Sequence, residues 1–375
     1  MQYTEYELGE LLPFEQPTAY IVKSTDYSDA YATPVLTAGK SFILGKTNET
    51  DGIFDQLPVI IFDDFTTATQ FVNFRFKVKS SAMKILHINT DLVIPKYIFY
   101  RLQIIQFDHS THKRYWIQSY SKIKVLIPPL DEQFRIVARI EELFSELDKA
   151  VDTLKTTKEQ LAVYRQAVLK NAFSCLPETV EMDKIADMID PQPSHRTPPE
   201  YKNGIPYIGI GDIDYQNKKI NFEDARKVSP EVLDKHLHRY TIHKGDFVMG
   251  KIGTIGKPYK IPDEQNYALS ANVILIQPNK EKIYPEFLFW QFSSSLVTKQ
   301  LTLGAKATSQ PAFGIKKARL LSIKICELEK QFKIIKRLEA KMSCCDNIEK
   351  TVDTALAQAD AMRQSILKQA FEGTM

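Results

Sequence analysis

The feature that most constrains the fold is an internal copy. Leu130-Asp-Glu-Gln-Phe-Arg-Ile-Val-Ala-Arg-Ile-Glu141 resembles Leu328-Glu-Lys-Gln-Phe-Lys-Ile-Ile-Lys-Arg-Leu-Glu339, at an offset of 198 positions (328 − 130). Further on, Arg165-Gln166 and Leu169-Lys170-x-Ala172-Phe173 match Arg363-Gln364 and Leu367-Lys368-x-Ala370-Phe371, again at an offset of 198 (363 − 165). Two matching ends at one offset define an ungapped duplication, and a repeat of this kind governs the whole architecture.

Both copies read as long helices. In the first, Ile140, Leu147, Leu154, Leu161 and Val168 recur every seven residues, with Ile136, Leu143, Ala150 and Tyr164 as companions four before or three after. The second copy keeps the period with Leu338, Cys345, Val352, Ala359 and Ile366, plus Ile334, Ile348, Ala355 and Met362. Apolar heptads with charges between them predict a coiled-coil seam, the docking surface for a partner helix. Neither Pro nor Gly occurs from Asp131 to Ser174 or from Glu329 to Glu372. About 44 residues at ~1.5 Å each make a rod of ~65 Å. Two separate amphipathic helices, each on its own domain, are the plainer alternative.

Each rod follows a globular segment, so the layout is domain, rod, domain, rod: residues 1–122, 123–176, 177–317 and 318–375. Pro128-Pro129 precedes the first rod and Pro177 ends it. β-branched and aromatic runs such as Pro58–Phe62, Phe71–Val78, Ile205–Ile210 and Val273–Ile276 predict strands. Short helices opening on proline are expected at Pro95–Leu102 and Pro285–Phe292, 190 positions apart (285 − 95). The duplication thus extends to whole domain-plus-rod units, and the class is α+β.

Chemical motifs are missing. Gly250-Lys-Ile-Gly-Thr-Ile-Gly-Lys-Pro258 fails as a phosphate loop, because Pro258 stands where Ser or Thr would bind magnesium. Gly209-Ile-Gly211 fails as a dinucleotide fingerprint, because Asp214 replaces the third glycine. No G-x-S-x-G elbow, H-E-x-x-H helix or Asn/Asp-Pro-Pro-Tyr/Phe segment occurs. His236, His238 and His243 beside Arg239 and Lys244 read as a solvated basic surface rather than a metal site. Cys175, Cys326, Cys344 and Cys345 lack metal or disulfide spacing and suit free thiols in a reducing compartment. Met1–Glu10 has no apolar core for a signal peptide, and no run of about 18 apolar residues exists to span a membrane. A cytoplasmic protein is expected.

Total charge is uninformative, since 49 Lys+Arg against 46 Asp+Glu leave only +3. Its placement is not. Residues 1–64 hold 11 acidic and 3 basic side chains (−8), whereas 65–122 hold 9 basic and 2 acidic (+7). Residues 178–190 hold 5 acidic and 1 basic (−4), and 191–317 hold 18 basic and 12 acidic (+6). In Asn73-Phe-Arg-Phe-Lys-Val-Lys79, strand alternation puts Arg75, Lys77 and Lys79 on one face, suited to phosphates or to a solvated sheet edge. His112-Lys-Arg-Tyr-Trp116 mixes cations with aromatics, and Lys306-Ala-Thr-Ser-Gln310 adds a cation to small hydrogen-bonding residues. Cations suit phosphates, while Arg, Asn, Gln, Ser and Thr can read base edges. A duplicated module on a rigid spacer suits a ligand with its own repeat, and duplex DNA is such a ligand.

At the rods a specific resemblance emerges. Ile127-Pro-Pro-Leu-Asp-Glu-Gln133 leading into Ile136-Val137, the helix end Arg165–Ser174 and its copy closing on Ala370-Phe371-Glu372-Gly373 resemble type I restriction–modification specificity subunits. Gly245-Asp246, Gly253-Thr-Ile-Gly256 and Ser309-Gln310 resemble the family's target-recognition domains. Pro34–Lys40, Ile60–Thr67 and Val78–Met83 look like another variety of the same domain. One departure is that Cys326-Glu327 replaces Pro128-Pro129 and Lys330 replaces Glu132, which questions how the second helix begins.

The resemblance implies two α/β target-recognition domains separated by two long antiparallel helices in a coiled coil, related by a pseudo-twofold repeat. It implies a non-catalytic reader of a bipartite, asymmetric site on double-stranded DNA. Two methyltransferase subunits would dock on the helices, and restriction subunits could join. The chain itself would hold no cofactor; S-adenosylmethionine and ATP with magnesium would act in the partners. Candidate DNA contacts are Arg75, Lys77, Lys79, Arg114 and Tyr115 in the first domain, and Lys251, Thr254, Lys257, Lys306, Ser309 and Gln310 in the second. The competing reading is a coiled-coil scaffold whose duplicated domains bind proteins or peptides.

Overall fold

The computed structural model describes residues 3–37, 41–107, 114–305 and 312–372. Two helices of 45 residues, Leu130–Ser174 and Leu328–Glu372, match the two copies read from the sequence. Asp131, Glu132 and Glu329 in their first turns face the positive ends of the helix dipoles. The chain divides into two compact units, Met1–Leu154 with Asp353–Met375, and Lys155–Val352, so each unit takes one part of both helices. Among the described residues no helix is long and apolar enough to cross a membrane.

In unit 1, β1 (Thr4–Glu7) pairs antiparallel with β9 (Lys124–Ile127). An antiparallel sheet has the order β2 (Phe14–Glu15), β8 (Met83–His87), β5 (Val59–Asp63), β6 (Thr69–Val72). A second sheet runs β4 (Ile43–Thr47), β3 (Thr33–Leu36), β7 (Lys77–Val78), with β3 and β7 parallel. Ile60 and Phe62 of β5 pack on helix residues Leu8, Tyr97 and Trp116, while Val59 and Ile61 pack towards Val72, Val78 and Ile85. Alternate side chains leave opposite faces of a strand, and both faces of this one are covered, hence its unbroken apolar run.

Unit 2 repeats the plan. β10 (Glu178–Glu181) pairs with β20 (Ser322–Ile325). The larger sheet is β11 (Ala186–Ile189), β19 (Val273–Pro278), β16 (Phe247–Gly250), β17 (Pro258–Lys260). The smaller is β15 (Lys227–Val228), β12 (Ile205–Ile208), β18 (Ala268–Leu269), again with one parallel pair, and β13 (Ile213–Asp214) with β14 (Lys219–Ile220) forms an added hairpin. Phe247 and Met249 face one core and Val248 the other.

The two expected proline-led helices occur as Pro95–Leu102 and Pro285–Phe292. A buried glutamine ties each to its long helix. Gln133 donates to the Leu92 and Pro128 carbonyls at 3.0 and 2.9 Å, and accepts the Ile94 amide at 2.8 Å. Gln331, 198 positions later (331 − 133), donates to Lys282 and Cys326 at 3.1 and 2.8 Å and accepts from Tyr284 at 2.9 Å. The Cys326-Glu327 departure therefore leaves the start of the second helix unchanged, because a backbone carbonyl is the acceptor in both.

The helices run antiparallel within each unit. In unit 1, Ile140 packs with Leu367 and Ala370, and Arg363 pairs with Asp148 and lies over the Phe144 ring. In unit 2, Val168, Leu169 and Phe173 share a core with Leu338 and Met342, and Arg165 bonds Asp346 and Glu349 at 2.6 and 2.8 Å. The expected seam residues Ile140, Leu161, Val168, Leu338, Cys345, Val352 and Ala359 are buried, and Leu147, Leu154 and Ile366 are half-buried. The expected companion positions divide: Ile136, Leu143, Ile334 and Ala355 are half-buried, whereas Ala150, Tyr164, Ile348 and Met362 are exposed, and Val137, Ile335, Met342 and Ala370, three before or four after a seam residue, are buried instead. Two flanks are equivalent by period, and Ile136-Val137 and Ile334-Ile335 are apolar on both, so the partner helix selects the flank.

The stretch Phe71–Val78 is not one strand. It breaks after Val72 and resumes at Lys77 in the other sheet, so Phe76, Lys77 and Val78 are all buried instead of alternating.

Candidate nucleic-acid interface

In unit 1 the cations expected to share a face separate. Arg75 and Lys79 are exposed, but Lys77 is only 2% exposed. Its ammonium pairs with Glu49 at 3.2 Å and donates to the Asp51 and Gly52 carbonyls at 2.5 and 3.2 Å. Glu49 also accepts the Lys23 and Ser24 amides at 2.8 and 2.9 Å, which together with Lys77 holds its carboxyl below the usual range despite the opposing effect of burial. Lys77 is thus a clamp on the 22–24 and 49–52 segments, not a DNA contact. The cause is the strand break, which turns position 77 inward.

Tyr115 is likewise buried, its ring edge-on to Phe107 and its amide on the Asp64 carbonyl at 2.9 Å. The Trp116 amide donates to the Asp64 carboxylate at 2.9 Å, and Lys84 pairs with that carboxylate at 3.3 Å. The Tyr115–Gln118 helix is therefore fastened to the end of β5, and Arg114 stands exposed just before it. The exposed cations from the expected set in this unit are Arg75, Lys79 and Arg114.

In unit 2 the loop after β16 doubles back, with the Gly256 amide donating to the Gly250 carbonyl at 3.0 Å. A Cβ on Gly250 would lie 1.6 Å from the Thr254 carbonyl, and Gly256 holds φ +76, so only glycine permits this path. Lys251 at its base is 6% exposed and pairs with Asp190 at 2.6 Å. It is a buried support, contrary to its expected role as a DNA contact, because its side chain turns back under the loop. Thr254 and Lys257 are exposed on the loop. The Lys257 ammonium lies 4.0 Å from the centroid of Tyr215, whose hydroxyl donates to the Lys257 carbonyl at 2.9 Å. Burial pushes the Tyr215 hydroxyl up to about 12, so it remains a donor at neutral pH. Lys306, Ser309 and Gln310 lie outside the described residues.

Several residues beside this loop carried no motif. His195 is exposed, with its ring nitrogen 3.5 Å from the Lys251 ammonium, and Arg196 next to it is also exposed. The signal available was the polar, cationic run Pro191-Gln-Pro-Ser-His-Arg-Thr-Pro-Pro199, a loop composition with two exposed side chains suited to phosphate. Asn272 joins the turn after β12 to the loop base, accepting the Ile210 amide at 3.1 Å and, through its carbonyl, the Lys251 amide at 2.8 Å. His236 is not the solvated group expected. It is buried against the Tyr240 hydroxyl at 2.9 Å and Gln192 at 3.2 Å, and burial depresses its pKa to about 4. Among the described residues no group of three or more His, Cys, Asp or Glu side chains is arranged to hold a metal ion.

A family model described as "Type I restriction modification DNA specificity domain" matches residues 177–358. The chain is 45% identical over 174 residues to the type I restriction enzyme EcoR124I/EcoR124II specificity subunit of Escherichia coli, covering 43% of each. It is 26% identical over 276 residues to the EcoBI specificity subunit of Escherichia coli, covering 66% of this chain and 58% of that one. The chain thus spans about half the length of the curated relatives it matches. The fold is similar to a chain solved in work on assembly and conformational transition of the type I R-M system, with a TM-score of 0.70 at 16% identity over 100% of this chain and 98% of that one. It is also similar to the HsdS subunit of Thermoanaerobacter tengcongensis, with a TM-score of 0.51 at 16% identity over 100% and 97%.

Proposed function

We propose that the chain is a type I restriction–modification specificity subunit, as its match to the specificity-domain model and its likeness to the curated specificity subunits support, and that it reads a bipartite, asymmetric site on duplex DNA, one half with each unit. The observation that carries this reading is the repetition of one scaffold, sheet order, glutamine tie and Arg–Asp pair included, with unlike additions on it, the β13–β14 hairpin and the glycine-bent loop after β16 in unit 2. A shared scaffold with unlike loops is what two different half-sites require. Exposed Arg75, Lys79 and Arg114 in unit 1, and Thr254, Lys257, His195 and Arg196 in unit 2, are the proposed contacts. Lys306, Ser309 and Gln310 remain proposed contacts from sequence.

In this reading the chain is non-catalytic and acts in the cytoplasm. Two methyltransferase subunits dock on the long helices, and restriction subunits join them. Adenine methylation with S-adenosylmethionine and ATP- and magnesium-dependent restriction belong to those partners. The test is selection of duplexes from a random pool by the chain with its methyltransferase partner. A bipartite motif is expected, with affinity falling steeply as salt rises, because neutralised phosphates release counterions. Recovery of no motif, or binding indifferent to salt, refutes the reading and favours the protein-binding scaffold.

A further inference from the structure

The β13–β14 hairpin in unit 2 touches both the long helices and the candidate reading loop. At its tip, Lys218 pairs with Asp346 of the second long helix at 2.6 Å. Asp346 also holds Arg165 of the first long helix at 2.6 Å, so one carboxylate joins the hairpin to both helices. Burial raises the Asp346 carboxyl pKa, but hydrogen bonds from Lys218 and Arg165 outweigh it and hold the group below its usual value. Three residues earlier, Tyr215 fixes Lys257 at both ends, by its ring under the ammonium and its hydroxyl on the carbonyl. Tyr259 backs the Tyr215 ring edge-on at 5.6 Å.

The tip is rigid by construction. Asp214 accepts the Gln216 and Asn217 amides at 3.0 and 2.9 Å and the Asn217 side-chain amide at 2.7 Å. Lys218 has φ +52, a left-handed conformation in which glycine is the ordinary choice. A lysine there accepts backbone strain that a glycine would avoid, and what it adds is the ammonium on Asp346. In unit 1 the equivalent Asp148, 198 positions earlier (346 − 148), pairs with Arg363.

We propose that Lys218 and Tyr215 are positioning residues, through which the long-helix pair orients the Gly253–Lys257 loop on the half-site read by unit 2. The proposal rests on the DNA-reading function above. A loop held in its binding geometry loses less freedom on association, so uncoupling it weakens and blurs recognition of one half-site only.

The experiment measures binding of the chain with its methyltransferase partner to three duplexes: the sequence selected from the random pool, and versions scrambled in either half-site. Lys218→Gly relieves the left-handed strain, so thermal stability is expected unchanged or higher, while affinity for the selected duplex falls about three- to tenfold. Lys218→Arg, which keeps a cation for Asp346, restores most of the affinity. Tyr215→Phe, losing only the hydroxyl, weakens binding less than Tyr215→Leu, which loses the ring as well. The loss must disappear on the duplex scrambled in the half-site of unit 2 and persist on the other. If the native complex ignores scrambling of either half, the DNA reading fails and takes the proposal with it. If the native complex discriminates and Lys218→Gly and Tyr215→Leu discriminate equally well, the coupling alone is refuted.

Discussion

The buried glutamines at the start of the long helices make the sharpest prediction about the fold. Gln133→Leu keeps the volume of a fully buried side chain but removes three hydrogen bonds, those to Leu92, Pro128 and Ile94. Each such bond contributes a net ~1 kcal/mol, and a buried donor or acceptor left without a partner costs about 1–3 kcal/mol. The Ile94 amide loses its partner where the Pro95–Leu102 helix begins, so the expected loss is about 3–5 kcal/mol. Gln331→Leu removes the corresponding bonds to Lys282, Cys326 and Tyr284 and should cost unit 2 a similar amount. With a urea slope of roughly 2 kcal/mol/M, the midpoint of the affected unit moves down by about 1.5–2.5 M. Amide exchange at Ile94 in one variant and Tyr284 in the other localises the effect. A loss under about 1 kcal/mol in both variants, with those amides still protected, would show that the ties are incidental.

Two further outcomes are expected. Lys77→Met leaves the half-buried Glu49 and the Asp51 and Gly52 carbonyls without their cation and destabilises unit 1 by about 1–3 kcal/mol, while Lys79→Ala leaves stability unchanged and lowers the salt slope of DNA binding by about one; equal effects of both on the slope would return Lys77 to the interface. Unit 2 should weaken in acid through His236, whose pKa of 6.5 when unfolded drops to about 4 in the fold. Above the unfolded value neither state holds the proton. As pH falls from 6.5 towards 4 only the unfolded chain gains it, so stability falls with pH, by up to about 3 kcal/mol at 1.36 kcal/mol per unit. Urea midpoints at several pH values, compared with His236→Gln, check this; identical acid slopes would exclude His236.

Periodic and local signals carried far in this chain. The constant offset of 198 relates the two long helices residue for residue, Leu130–Ser174 to Leu328–Glu372, because heptads and the absence of Pro and Gly act along the helix itself. Pro95 and Pro285 began their helices as expected, since proline at a first helical position pre-sets its own backbone angle. The resemblance quoted from Ile127–Gln133 and its copy contained Gln133 and Gln331, although nothing in the string revealed three bonds to each.

What the tertiary structure alone decided were the directions of side chains. Either flank of a heptad seam could have faced the partner helix, and the antiparallel neighbour chose the one bringing Arg165 and Arg363 to their acids. Lys77 and Lys251 looked like ligands for phosphate because a cation in a sequence carries no record of its nearest carboxylate. Glu49 lies 28 positions before Lys77 (77 − 49), and Asp190 lies 61 before Lys251 (251 − 190). Only the fold brings those charges within about 4 Å, where their attraction can offset the cost of leaving water. Periodicity is a property of the chain, whereas burial and charge pairing belong to distances the chain does not encode locally.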